Sequence, residues 1–230
     1  HVFDGQLGYG CSLTKIKELA KTALNFKILG CFCVFLTSLL EKQFFMKPFA
    51  ILKKRNERSL IMRPIEYAEK AIETMQKTYD AKDLPPKGRF HYHQGVFLSG
   101  VYETYQLTKK EEYFAYVKDW VDSVTTENGE FLKQDSGQLD DIQPGILLFP
   151  IYEKTKEKKY KILLDQLVKE IDEFPKTTEG AFWHKQRYPY QMWLDGLYMG
   201  APFYAEYLVR FKDGEGLDDV VKQFELCYRY

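Results

Sequence analysis

The sequence predicts an all-α protein made of repeated antiparallel helix pairs, and three observations carry that prediction. From residue 62 onward apolar side chains recur at spacings of three and four, the mark of one buried helix face; Ile65, Ala68, Ile72 and Met75 are the first such set. A dense breaker, DLPPKGRF (83–90), then separates the first helical stretch from the next. Most telling, the text repeats: GVYETYQLTKKEEYFAYVKDWVDSV (100–124) is echoed by FPIYEKTKEKKYKILLDQLVKEIDEF (149–174).

The shared core of the repeat is Tyr-Glu, then Thr, a lysine-rich turn, a Tyr and a second amphipathic helix. Tyr102-Glu103 and Tyr152-Glu153 are 50 residues apart. A weaker third copy, AEYLVRFKDGEGLDDVVKQF, has its Glu206 another 53 residues on. Each unit reads as helix, short polar turn, helix, then a loop of about fifteen residues holding Gly or Pro. The period fits neither the 34-residue tetratricopeptide nor the 33-residue ankyrin pattern.

Composition narrows the function classes. The chain has 230 residues, 45% hydrophobic and 16% aromatic, ample for one large core. Its net charge is zero, which argues against nucleic acid as the partner. The zero hides an asymmetry: residues 1–61 carry ten Lys and Arg against four Asp and Glu, whereas residues 62–230 carry 23 against 29. Three of the four cysteines, Cys11, Cys31 and Cys33, also fall in the first segment. No metal-ligand or disulfide spacing links them, so no metal and no cofactor is expected and the main body reads as a reducing-compartment, cytoplasmic protein. The chain therefore divides at 61/62 into a non-matching leader and a helical domain, 62–230. Within the leader, ILGCFCVFLTSLL (28–40) is an apolar run shorter than the roughly 20 residues a membrane span needs. It has the length of a signal-peptide core but lies far from the start of the chain, which leaves export or anchoring open beside a leader foreign to the domain.

The repeat aligns three suspicious patches. His91, Tyr92 and His93 lie ten to twelve residues before Glu103, Asp140 lies thirteen before Glu153, and Asp195 lies eleven before Glu206. All three fall at the start of a pair's first helix, so pairs set side by side bring them to one rim. Helix N-termini there favour an anionic ligand. Phe90, Tyr92, Trp183, Tyr188, Tyr190 and Trp193 join that rim, and aromatic faces beside carboxylates suit sugar rings. Each residue also has a plainer role open to it. Asp195, Asp140 or Asp141 could cap a helix, and His184 could be an ordinary loop histidine. His91 and His93 lack a third ligand, and Glu103 and Glu153 suit packing or turns. A groove that binds a glycan or peptide without chemistry is the alternative to an enzyme.

Three stretches, RFHYHQGVFLSGVYETYQLT, QLDDIQPGILLFPIYEKTKEKKY and GAFWHKQRYPYQMWLDGLYMGAPFYAEY, together resemble glycoside hydrolase family 105, the unsaturated rhamnogalacturonyl hydrolases, and the related family 88, the unsaturated glucuronyl hydrolases. The resemblance implies an (α/α)6 barrel with the active site at one mouth. It implies removal of a 4,5-unsaturated uronic acid from the non-reducing end of an oligosaccharide such as a rhamnogalacturonan fragment. In that reaction a carboxylic acid protonates C4, water adds at C5 and the hemiketal releases the remaining sugar. By motif position Asp195 matches the general acid/base and Asp140 the second aspartate. His184, Trp193 and, more loosely, Tyr92 match substrate contacts. Arg187 is a candidate for the uronate carboxylate because a guanidinium grips it in bidentate fashion. Six pairs of this length need about 300 residues, whereas 62–230 holds a little over three pairs. The resemblance therefore points to the first half of such a ring, its activity as this chain an open question.

Overall fold

A computed structural model describes residues 63–133 and 137–229; the readings made above for the leader, including the apolar run, lie outside them. Seven α-helices follow: α1 Pro64–Thr78, α2 Tyr92–Thr108, α3 Glu111–Ser123, α4 Leu148–Thr155, α5 Lys158–Asp172, α6 Leu194–Phe211 and α7 Leu217–Arg229. Two 3-10 turns, Leu139–Asp141 and Gln143–Leu147, run directly into α4. No strand is present among the described residues, only isolated bridges. None of these helices is long and apolar enough to cross a membrane.

The pairs are α2/α3, α4/α5 and α6/α7, and the repeat explains their turns. Lys109 and Lys156 end the first helices of pairs one and two in the left-handed region, at φ 60° and 59°. Their N–H groups donate to Tyr105 O and Tyr152 O, four residues back. A lysine at this end of a helix complements the negative pole of the dipole. Each turn keeps the same threonine. Thr108 and Thr155 donate through Oγ1 to Thr104 O and Ile151 O, and accept the N–H of Lys110 and Glu157. The repeated tyrosine of the second helix is buried and reaches the preceding outer helix. Tyr113 donates to Glu69 on α1 and Tyr160 to Asp122 on α3. A buried phenol needs such an acceptor, so this one position links the outer helices in order.

The inner layer is α2, the 143–155 segment and α6, side by side, and two glycines set their spacing. A Cβ on Gly95 would lie 2.8 Å from Pro144 Cγ, and one on Gly145 2.6 Å from both Leu167 and Phe203. Between the layers, Trp120 stacks on Phe90 with centroids 5.5 Å apart, and both are buried. Phe90 thereby anchors the chain just before α2 and fixes where His91 and Tyr92 emerge. Replacing Gly145 with Ala is expected to destabilise the chain by about 1–3 kcal/mol, since neither neighbour has room to withdraw; urea unfolding followed by circular dichroism measures it.

Candidate active site

The site is assembled by two extended stretches that pair antiparallel. Gln138 bridges Lys185, Leu139 N–H donates to His184 O at 3.1 Å and Gln186 N–H donates to Gly137 O at 2.8 Å. Gly137 takes φ 97°, and a Cβ there would meet the Gln186 side chain at 2.8 Å. This pairing sets the 3-10 turn carrying Asp140 against the segment carrying His184. A further bond, His184 N–H to Gln191 O at 2.7 Å, folds that segment back so that it runs into α6.

Asp140, His184 and Asp195 then meet. His184 Nε2 lies 3.3 Å from Asp140 Oδ1 and 3.8 Å from Asp195 Oδ2. The two carboxylates differ sharply in setting. The side chain of Asp140 is 4% exposed and Lys185 Nζ donates to its Oδ2 at 2.5 Å. That of Asp195 is 54% exposed. Asp195 is the second residue of α6, whose N-cap is Trp193 with no side-chain cap bond, so the capping role open to it in the sequence is not realised. Nor does Asp140 or Asp141 cap the helical turns beside it.

His184 is 1% exposed, and burial pushes its pKa below the ordinary 6.5, with Asp195 and then Asp140 opposing the shift. Its Nδ1 is buried without a hydrogen-bond partner, 3.2 Å from where a Cβ on Gly196 would sit. The proton of the neutral ring therefore belongs on Nε2, facing the carboxylates. Ligand atoms of the three residues lie within 4.8 Å of one another, close enough for a cation to bridge. A metal-bound imidazole, however, holds its other nitrogen protonated and hydrogen-bonded. Among the described residues that nitrogen has no acceptor, and an ammonium already occupies Asp140. The donor set suits proton handling better than metal binding.

Trp193, 39% exposed, roofs the cluster: its ring stacks on His184 at 4.3 Å and 15°, and on Tyr188 at 5.5 Å and 18°. Arg187 lies over Tyr188, 4.8 Å from its centroid. It thus extends the series of stacked rings that begins at His184 and Trp193. Tyr92 opens α2 and stacks on His93 at 4.1 Å. Burial lowers the His93 pKa, His91 adds to that, and Asp140 acts on it in the opposite sense. Lys185 was not singled out in the sequence. Its one signal was its place next to His184, and its partner is 45 residues away.

The layout defines a helical-hairpin protein with two carboxylates and an imidazole beneath an aromatic roof. The sequence profile of Glycosyl Hydrolase Family 88 matches residues 66–230. The chain belongs to that family, whose members fold as (α/α)6 barrels. Among solved structures it is similar to a family 105 glycoside hydrolase from C. acetobutylicum, with 32% identity and a TM-score of 0.63 over 70% of this chain and 44% of that one. A possible family 105 member from Klebsiella pneumoniae shares the fold at 20% identity and a TM-score of 0.59, over 80% of this chain and 52% of that one. One from Salmonella enterica does so at 19% and 0.58, over 75% and 49%. The chain thus spans about half the length of these proteins, and its three hairpins occupy that share of a ring.

Two outcomes test the electrostatics. Lys185→Met leaves the Asp140 carboxylate buried without its cation and should cost about 3–5 kcal/mol. Adding Asp140→Asn should restore most of it in urea titrations, because no charge is then stranded. Glu170, which accepts Gly137 N–H at 3.1 Å, has its pKa pushed above the ordinary 4.5 by burial, a rise that the Gly137 bond opposes and the Asp141 charge reinforces. The folded state therefore holds this proton more tightly than the unfolded chain. Its contribution is greatest below pH 4.5 and is lost as pH rises through the raised value. Glu170→Gln should flatten that part of a stability–pH curve and leave the variant more stable at neutral pH.

Proposed function

We propose that this rim hydrates the 4,5 double bond of an unsaturated uronic acid at the non-reducing end of an oligosaccharide, releasing the sugar next to it. One observation carries the reading: two carboxylates flank one buried imidazole, yet only one of them is open to solvent. Asp195, exposed and without a cation, can take a proton from water and deliver it to C4. The ring oxygen then carries the positive charge at C5, water adds there, and Asp195 receives the proton that water gives up. The resulting hemiketal opens to the keto sugar and frees the neighbouring hydroxyl, so atoms and charge balance.

Asp140, buried against Lys185, is suited to holding sugar hydroxyls and to keeping negative charge close to the developing cation. His184, with its proton on Nε2, offers a donor between the two acids. The exposed face of Trp193 gives the C–H face of the sugar a surface to stack on. Because the chemistry begins with protonation of an alkene, the separation of the acids does not report stereochemistry as it does in ordinary glycosidases. A rhamnogalacturonan fragment is the substrate we assign first, on the strength of the family 105 resemblance.

The test is loss of the ultraviolet absorbance of the conjugated uronate when the chain is mixed with lyase-digested pectin. Asp195→Asn should lower the rate by about 10²–10⁴-fold, the usual span of a general acid. Equal activity in that variant would remove Asp195 from its assigned role. Binding of the oligosaccharide without bleaching by the wild-type chain would favour a glycan-binding role instead.

A further inference from the structure

A second buried polar knot lies beside the acid cluster and takes no part in it. The Asp141 carboxylate has no exposed surface. Its Oδ1 lies 2.8 Å from His91 Nδ1 and its Oδ2 3.6 Å from Arg89 Nη2, while Gln138 Nε2 donates to Oδ2 at 3.1 Å. The ring nitrogen of His91 makes no hydrogen bond to Oδ1, so this contact is one of close packing, and Arg89 supplies the permanent positive charge. His91 is itself 6% exposed.

The knot ties together two parts of the chain 50 residues apart: the approach to α2 in the first hairpin and the 3-10 turn leading to α4 in the second. On each side the adjacent residue is a candidate substrate group. Tyr92 follows His91 and meets its ring edge-on, at 4.7 Å and 81°. Asp140 precedes Asp141 on a 3-10 turn, where successive side chains point about 120° apart. Fixing Asp141 in one direction therefore fixes Asp140 in another.

We infer that Asp141 and His91 are positioning residues: their buried contact holds the first hairpin's rim in register with the second's, and so sets the span between Tyr92 and Asp140 across which the sugar is held. The inference deepens the reading of the site given above. A carboxylate so enclosed cannot rehydrate when a partner is lost, so the turn must repack and carry Asp140 with it. Neither Asp141 nor His91 is placed to touch substrate, which separates their role from that of Asp195.

The test uses the 230-residue chain, isotope-labelled, with Asp141→Leu and His91→Gln compared by nuclear magnetic resonance. The expected result has three parts: shifted ring signals for Tyr92 and His184, amide exchange at Leu139 faster by roughly tenfold or more, and unchanged protection of Leu163 and Leu164 in α5. Unchanged Tyr92, His184 and Leu139 signals in both variants would overturn the inference. So would uniform loss of protection through α5, since that marks a general structural role. If Asp141→Leu does not fold, Asp141→Asn keeps the shape, removes the charge and carries the same readouts. On lyase-digested pectin, kcat should fall more than KM rises, with Asp141→Asn recovering part of the loss. Failure of the wild-type chain to bleach the substrate would defeat the functional reading alone; the exchange data would still decide the positioning role.

Discussion

The candidate site depends on one short antiparallel junction. Residues 137–139 and 184–186 exchange two backbone hydrogen bonds that form a single bridge, far too little to count as a sheet. Yet this junction lays the acidic turn of the second hairpin against the loop that feeds the third. Without it, Asp140 and His184 would sit on separate hairpins with nothing to enforce a 3.3 Å approach. Helix packing alone scatters by several ångströms and many degrees. A backbone junction does not, and this protein uses one where side-chain geometry has to be held tightest.

The same junction makes the two acids unlike. Asp140 is drawn under the loop and must have a cation, which Lys185 provides from the very segment that buries it. Asp195 stands on the first turn of α6, where the helix dipole favours its charge and solvent reaches it. A pair of carboxylates in one environment would compete for a single proton. Here one is held in an ion pair with Lys185 and the other is open to solvent. His184 between them is neutral because it is buried, so it adds a donor without adding a charge. Division of roles thus follows from burial, and burial follows from where the chain crosses itself.

How far this was legible in the sequence depends on the range of each interaction. The hairpins were readable because their causes are local: the Thr-Lys turns close within four residues, and the apolar faces recur at helical spacing. The rim was readable because the repeat puts Asp140, Asp195 and Tyr92 at matching positions. Lys185 and Asp141 were not, because what distinguishes them is a partner 45 or 50 residues away across the junction. Asp140 and Asp141 look alike as consecutive letters. Only the direction imposed by the 3-10 turn separates the one that faces His184 from the one sealed against His91.

Stability and function are coupled here through the outer layer. Tyr113 and Tyr160 bind acids of the preceding outer helices, and these bonds set how far each hairpin is rotated relative to the last. The inner helices follow, drawn close by Gly95 and Gly145. At the rim, the Asp141 contacts join the first two hairpins and the backbone junction joins the second to the loop feeding the third. In the aromatic roof, Trp193 donates to Gln191 on its own loop and stacks on His184. Buried charge thus sits at the contacts between hairpins, while the face carrying Trp193 and Asp195 stays accessible.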